Sequence, residues 1–150
     1  MLIGARTPAE KDAAAALLLA HAGVQPCGDM QALLWVNTDK QEVEWVVGYT
    51  GFVGKTCQMH VVNLGTRRTP RKLLWAAFDY PFNQVGVEAV LGIVNSNNDS
   101  AIRFDKHLGF KEVMRLDGLH DGGGDIVIFR MNRDECRWIK EIEHEERMVA

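Results

Sequence analysis

The sequence predicts an α+β fold, a mixed α/β sheet with helices on both faces, and three observations predict it. Between Ala32 and Val62, three runs rich in Val and aromatic residues follow one another through short connections, the pattern of an antiparallel meander. Beyond Asn63 the pattern becomes strand–helix–strand–helix–strand, which implies parallel strands joined by right-handed crossover helices. The length of 150 residues suits one domain over 1–150. A chain of this size buries roughly 70% of its unfolded surface, so it needs no disulfide staples.

Met1–Arg6 reads as a short edge strand. Thr7-Pro8-Ala9-Glu10 starts a helix: the Thr hydroxyl caps, Pro suits the first helical position, and Glu10 completes a capping box. The helix runs to Ala22 and stops at Gly23. A loop over Gln25–Asp29 leads to strands at Ala32–Asn37, Val43–Phe52 and Thr56–Val62. Leu64–Thr69 is a loop, and Pro70–Phe82 a helix that is apolar on most sides. Its Trp75, Phe78, Tyr80 and Phe82 read as core. Glu88–Val94 is a strand, Asn98–Leu108 a helix and Lys111–Leu116 a strand. A Gly-rich turn over Asp117–Asp125 precedes the closing strand Ile126–Asn132, and residues 133–150 form a charged C-terminal helix or tail.

Composition excludes several functions. Seventeen Lys and Arg against 20 Asp and Glu give a net charge of −3, which is no general basic coat for nucleic acid. Cys27, Cys57 and Cys136 are too few and too scattered for a disulfide framework, which points to a reducing compartment. The apolar stretch Ala13–Ala20 is far short of the about 20 residues that span a membrane. Glu10 and Asp12 directly before it carry the wrong charge for a signal peptide, so the chain reads as cytoplasmic. Cys57-x-x-His60 is half of a zinc pattern with no second half, and Asp117, Asp121 and Asp125 lack the closing Glu of a calcium loop. No metal is expected.

Two helix starts carry chemical information. Arg67, Arg68, Arg71 and Lys72 crowd the start of the helix at Pro70, with Thr69 as its expected cap. A helix N-terminus is already positive, so cations there cost about 0.3–1 kcal/mol each. An anion such as a phosphate or pyrophosphate would explain them; a solvated basic loop is the bland alternative. Binding of nucleic acid through this patch is a weaker reading. In the helix from Asn98 to Leu108, Ala101, Ile102, Phe104 and Leu108 form the apolar face, and Asp105 falls inside it. A carboxylate facing a core must find partners or shift its pKa. It either reaches the rim or serves an active-site cleft.

The run Val94-Asn95…Asn98-x-x-Ala101…Leu108-Gly109-Phe110-Lys111-Glu112 resembles the late motif of the GCN5-related N-acetyltransferases, closest to the RimJ/RimL branch that acetylates ribosomal-protein N-termini. The Gly-rich turn with Gly-Asp-Ile-Val-Ile-Phe-Arg-Met resembles that family's last hairpin. Arg133–Trp138 is similar to the end of small acetyltransferases, including phage-encoded ones. The resemblance is good over 56–138, and over 1–55 it rests on element order. It implies parallel strands splayed around acetyl-CoA, with the pyrophosphate at the start of the helix at Pro70. The usual Arg/Gln-x-x-Gly-x-Gly/Ala loop is replaced by Gly65-Thr66-Arg67-Arg68-Thr69-Pro70-Arg71, so Arg67, Arg68, Thr69, Arg71 and Lys72 are the expected phosphate contacts. By the same resemblance, main-chain groups of His60, Val61 and Val62 pair with the pantetheine arm, and Asn98 bonds it near the thioester.

Acetyl transfer needs a deprotonated amine, a donor for the oxyanion and an exit for the thiolate. Many relatives place a Tyr acid where this chain has Asp105, and no Tyr follows residue 81. Ser100 is a candidate donor to the leaving sulfur, or simply part of the helix cap. His60 is a candidate general base, or a packed strand residue; Glu42 and Glu44 are alternative bases. The expected activity is acetyl-CoA-dependent N-acetylation of a primary amine, a protein N-terminus or a small molecule. The alternative is a catalytically weak binding protein for CoA, acyl-CoA or a protein partner. A homodimer through the C-terminal strand and Trp138 is a further expectation.

Overall fold

The computed structural model describes residues 1–65 and 68–149. Thr66, Arg67 and Ala150 lie outside the described residues, and with Arg67 one of the expected phosphate contacts. The strands are β1 (Leu2–Gly4), β2 (Gln31–Asn37), β3 (Glu42–Val53), β4 (Thr56–Asn63), β5 (Ala89–Asn95), β6 (Lys111–Leu116) and β7 (Ile126–Asn132). The helices are α1 (Pro8–Ala22), α2 (Arg71–Asp79), α3 (Asp99–Leu108) and α4 (Arg137–Val149). The sheet order is β1-β2-β3-β4-β5-β7-β6. The meander β1–β4 is antiparallel, β4 and β5 are parallel, and β7 lies between β5 and β6, antiparallel to both.

The step β4 to β5 and the step β5 to β6 move across the sheet in the same direction. Crossovers of the same hand therefore place α2 and α3 on the same face. The packing agrees. Leu73, Leu74, Ala77 and Phe78 of α2 and Leu108 of α3 share a core with Val47, Tyr49, Val90 and Phe129. On the opposite face, Ala14 and Leu18 of α1 pack on Ala32, Leu34, Val46 and Val62. Gly48 makes this close approach possible: a Cβ there would stand 2.5 Å from Leu18 Cδ1.

α1 starts as the sequence predicts. Thr7 Oγ1 accepts from the Glu10 N–H at 3.2 Å, the Glu10 carboxylate accepts from the Thr7 N–H at 3.0 Å, and Gly23 closes the helix at φ 66°. α2 departs from expectation at both ends. Pro70, not Thr69, is the N-cap, and it has no side chain to bond the first N–H groups. The α-helix stops at Asp79 and widens into a π-helical turn over Tyr80–Val85, because Pro81 has no N–H for an i→i−4 bond.

The C-terminal segment is a short 3₁₀ turn followed by α4. Trp138 is buried and donates from Nε1 to the Leu108 carbonyl at 2.9 Å. It fastens α4 to the end of α3, so the surface expected for self-association through Trp138 is already used inside the chain. Among the described residues, no helix is long and apolar enough to cross a membrane.

Candidate active site

β4 and β5 pair only from Thr56–Gln58 to Ala89–Leu91. Beyond that point they separate, and a cleft of about 810 Å³ opens between Met59–Asn63 and Gly92–Asn95. The edge of β4 facing the gap keeps backbone N–H and C=O groups that no β5 partner takes, at every second residue. Such an edge can bond an extended ligand as it would another strand. The bond from the Ala89 N–H to the Lys55 carbonyl sets the alternation: the backbone groups of Val61 face the gap, whereas those of Val62, like the Leu64 N–H that bonds the Glu44 carbonyl, turn toward β3, so of the two expected contacts only Val61 lies on this edge.

The pleat gives the cleft two sides. Residues opposite one another in an antiparallel ladder share a face. His60 opposes Gly48, so it looks toward α1, whereas Met59 and Val61 oppose Tyr49 and Val47 and look toward α2 and α3. On β5, Ile93 and Asn95 alternate with Gly92 and Val94. The α1 side of the cleft thus carries His21, His60, Asn95 and His120. The α3 side carries Trp45, Met59, Phe104, Asp105 and Phe110, with Trp45 and Phe104 stacked at 6.3 Å between ring centroids.

Asp105 is the sole carboxylate among the described residues that line the cleft. It stands over Gly92, where a Cβ would meet its Oδ2 at 3.2 Å. Burial without a compensating partner pushes its pKa up from the ordinary carboxylate range to about 7. Asp105 thus lines the cleft rather than bonding an Arg at the rim.

His60 lines the cleft too, with Nε2 2.7 Å from the buried Thr50 hydroxyl. Burial pushes its pKa down to about 4. Burial beside Thr50 thus favours the uncharged imidazole over the near-neutral base expected from the sequence. Cys57 is buried on the opposite face of the strand, so the Cys57-x-x-His60 pair diverges. Among the described residues, no group of three or more His, Cys, Asp or Glu is arranged to hold a metal ion. Glu44 accepts from Asn37 Nδ2 at 2.9 Å and does not line the cleft.

Asn98 and Ser100 lie where α3 begins, at the cleft. Asn98 Oδ1 takes the Ala101 N–H at 3.2 Å and the Ser100 hydroxyl at 3.1 Å. Asn98 is thus the cap and Ser100 leans on it. Arg68, Arg71 and Lys72 are exposed around the uncapped start of α2, and no acidic residue occupies its first turn. Arg71 Nε is 3.8 Å from Glu141, a contact at a mostly exposed side chain.

Two cleft histidines escaped the sequence reading, His21 at the end of α1 and His120 in the Gly-rich turn. Neither sits in a motif. A histidine among closely spaced glycines is the signal that was present for the second.

A sheet of this order, with a gap between its parallel strands and a helix starting beside it, has known counterparts. A chimera of spermidine N-acetyltransferase SpeG from Vibrio cholerae and hSSAT superposes with a TM-score of 0.71, covering 93% of this chain and 99% of that one at 12% identity. A second such chimera gives 0.67 at 13% identity, covering 93% and 98%. The fold is an acetyltransferase fold. A dodecameric spermidine N-acetyltransferase from Vibrio cholerae gives 0.61 at 14% identity, covering 71% of this chain and 67% of that one. No protein-family model matches the sequence, and no curated protein matches it.

Proposed function

We propose that the chain is an acetyl-CoA-dependent N-acetyltransferase that transfers the acetyl group directly to a primary amine within a ternary complex. The observation that carries the reading is the gap between β4 and β5 with an unpaired, half-buried carboxyl at its wall. The bound co-substrate supplies a thioester for the amine to attack. The free edge of β4 at Met59 and Val61 holds its extended arm, and Arg68, Thr69, Arg71 and Lys72 hold its phosphates. Asn98 bonds the arm where α3 begins.

Asp105 is the proton donor in this reading. With its pKa near 7, much of it is protonated at neutral pH, and it donates to the departing thiolate. His60 is held by Thr50 and lacks the basicity to take a proton from an ammonium group. The amine gives up its ammonium proton to water on entry, since burial favours the uncharged form, and the proton its nitrogen loses on acylation returns to the Asp105 carboxylate. Proximity then supplies much of the rate. Ser100 supports Asn98 instead of acting on the sulfur. The acceptor is a protein N-terminus or a small-molecule amine. The unpaired Cys27, Cys57 and Cys136 agree with a cytoplasmic setting.

The test is thiol release from acetyl-CoA with an amine panel. Asp105→Asn is expected to lower kcat by roughly a hundredfold with acetyl-CoA affinity unchanged. In the parent protein kcat falls as pH rises through about 7, and the Asn variant loses that dependence. The sign for stability is set by the raised pKa. The folded state holds the proton more tightly than the unfolded chain, so this group's contribution to stability declines as pH rises from the ordinary carboxylate range through about 7. Asp105→Asn therefore stabilises the fold above pH 7. The replacement of the usual glycine-rich phosphate loop favours a second reading, a CoA-binding protein without turnover. Acetyl-CoA binding with no thiol release for any amine would establish it.

A further inference from the structure

His120 lies in the turn between β6 and β7, and its surroundings fix its chemistry. Its backbone is tied at both groups: the N–H donates to the Gly124 carbonyl at 3.3 Å, and the carbonyl accepts from the Gly123 N–H at 3.0 Å. Its Nδ1 accepts the Gly122 N–H at 3.0 Å and lies 3.1 Å from Asn95 Nδ2. The orientation of the Asn95 amide is settled by its other end, because Oδ1 accepts the Asn97 N–H at 2.9 Å. Two donors thus converge on Nδ1, so the ring proton sits on Nε2.

Glycines make room for this arrangement, most strictly at Gly124. A Cβ at Gly122 would meet Asn95 Nδ2 at 3.2 Å. At Gly124, with φ +91°, it would meet Asn95 Oδ1 and Asn97 Nδ2 at 2.7 Å. Asp125 and Ser96 exchange further bonds of 2.8 and 2.9 Å, which lock the turn to the loop after β5. The turn spends several non-local hydrogen bonds on presenting one imidazole to the cleft.

We infer that His120 is a specificity residue of the acceptor site, donating from Nε2 to an oxygen that the acceptor carries beside its amine. The class of acceptor is an amine with a neighbouring carbonyl or carboxylate, not an alkyl polyamine. The inference rests on the acetyltransferase reading above. The composition of the α1 side supports it: His21, His60, Asn95 and His120 line it, and none of them is a carboxylate. A polycation needs carboxylates at the spacing of its charges, and among the described residues Asp105 is the one carboxylate on the other wall.

Three acceptors of similar length test this: an amino-acid amide, an unbranched alkylamine and spermidine. The parent protein is expected to prefer the amide in kcat/KM by about tenfold, the loss typical of one hydrogen bond. His120→Ala raises KM for the amide by a similar factor, with kcat and the alkylamine KM unchanged. His120→Gln, which restores an N–H near the same place, recovers much of the loss. Calorimetric binding of acetyl-CoA at parental affinity confirms that each variant is folded. Equal or better use of spermidine, or an equal loss by His120→Ala for all three acceptors, overturns the inference and leaves the acetyltransferase reading intact. Acetyl-CoA binding without acetylation of any amine overturns both.

Discussion

The starts of α1 and α2 are built on opposite principles. α1 satisfies its first N–H groups internally, with the Thr7 hydroxyl, the Glu10 carboxylate and Pro8. Hydrogen bonds to Thr7 and Arg6 hold Glu10 below its ordinary pKa, so it remains charged against the positive helix end. α2 begins at Pro70 with no side-chain cap, no acid in its first turn, and Arg68, Arg71 and Lys72 around it. One terminus serves stability. The other gives up stability, and under the proposed function its N–H groups and cations serve the phosphates of acetyl-CoA. The same sequence thus shows what a helix start looks like when folding alone shapes it, and that contrast makes the second one informative.

The largest expected effect lies at α2. Arg68→Ala/Arg71→Ala should weaken acetyl-CoA binding by about tenfold to a hundredfold, as expected for losing charge-assisted hydrogen bonds, while the melting temperature holds or rises slightly. Calorimetry and thermal denaturation read the two separately. Next comes α1: Thr7→Ala should cost about 1 kcal/mol in a denaturant titration and leave acetyl-CoA affinity unchanged. The smallest effect sharpens the contrast most. Lys72→Glu complements the dipole of α2 and should raise stability by about 0.3–1 kcal/mol while weakening acetyl-CoA binding. Stability and binding moving in the same direction there would break the comparison.

Much of this architecture was legible in the residues. Thr7-Pro8-Ala9-Glu10 and Gly23 bound α1 through local chemistry, and β6 and β7 fall on Lys111–Leu116 and Ile126–Asn132 as the alternation indicates. Asp105 stood out because it broke an apolar face. The end of α2 was misread because apolar spacing continues through Phe82, while Pro81 removes a donor and forces the wider turn. The charge behaviour of His60 was hidden, since it depends on burial beside Thr50, ten residues away across a hairpin. His120 was hidden for a similar reason. Its role comes from bonds to Asn95 and Gly122, and the first of these joins segments 25 residues apart. Local signals write the elements; contacts across the sheet write the site.

The central claim is that the start of α2 and the free edge of β4 together receive acetyl-CoA. Calorimetric titration with acetyl-CoA and with S-acetylpantetheine, which lacks the phosphates, tests it most directly. The account predicts micromolar binding of acetyl-CoA and much weaker binding of the fragment. It further predicts that Arg68→Ala/Arg71→Ala abolishes most of that difference. No binding of acetyl-CoA at millimolar concentration, or a double variant that binds both ligands as the parent protein does, would contradict it.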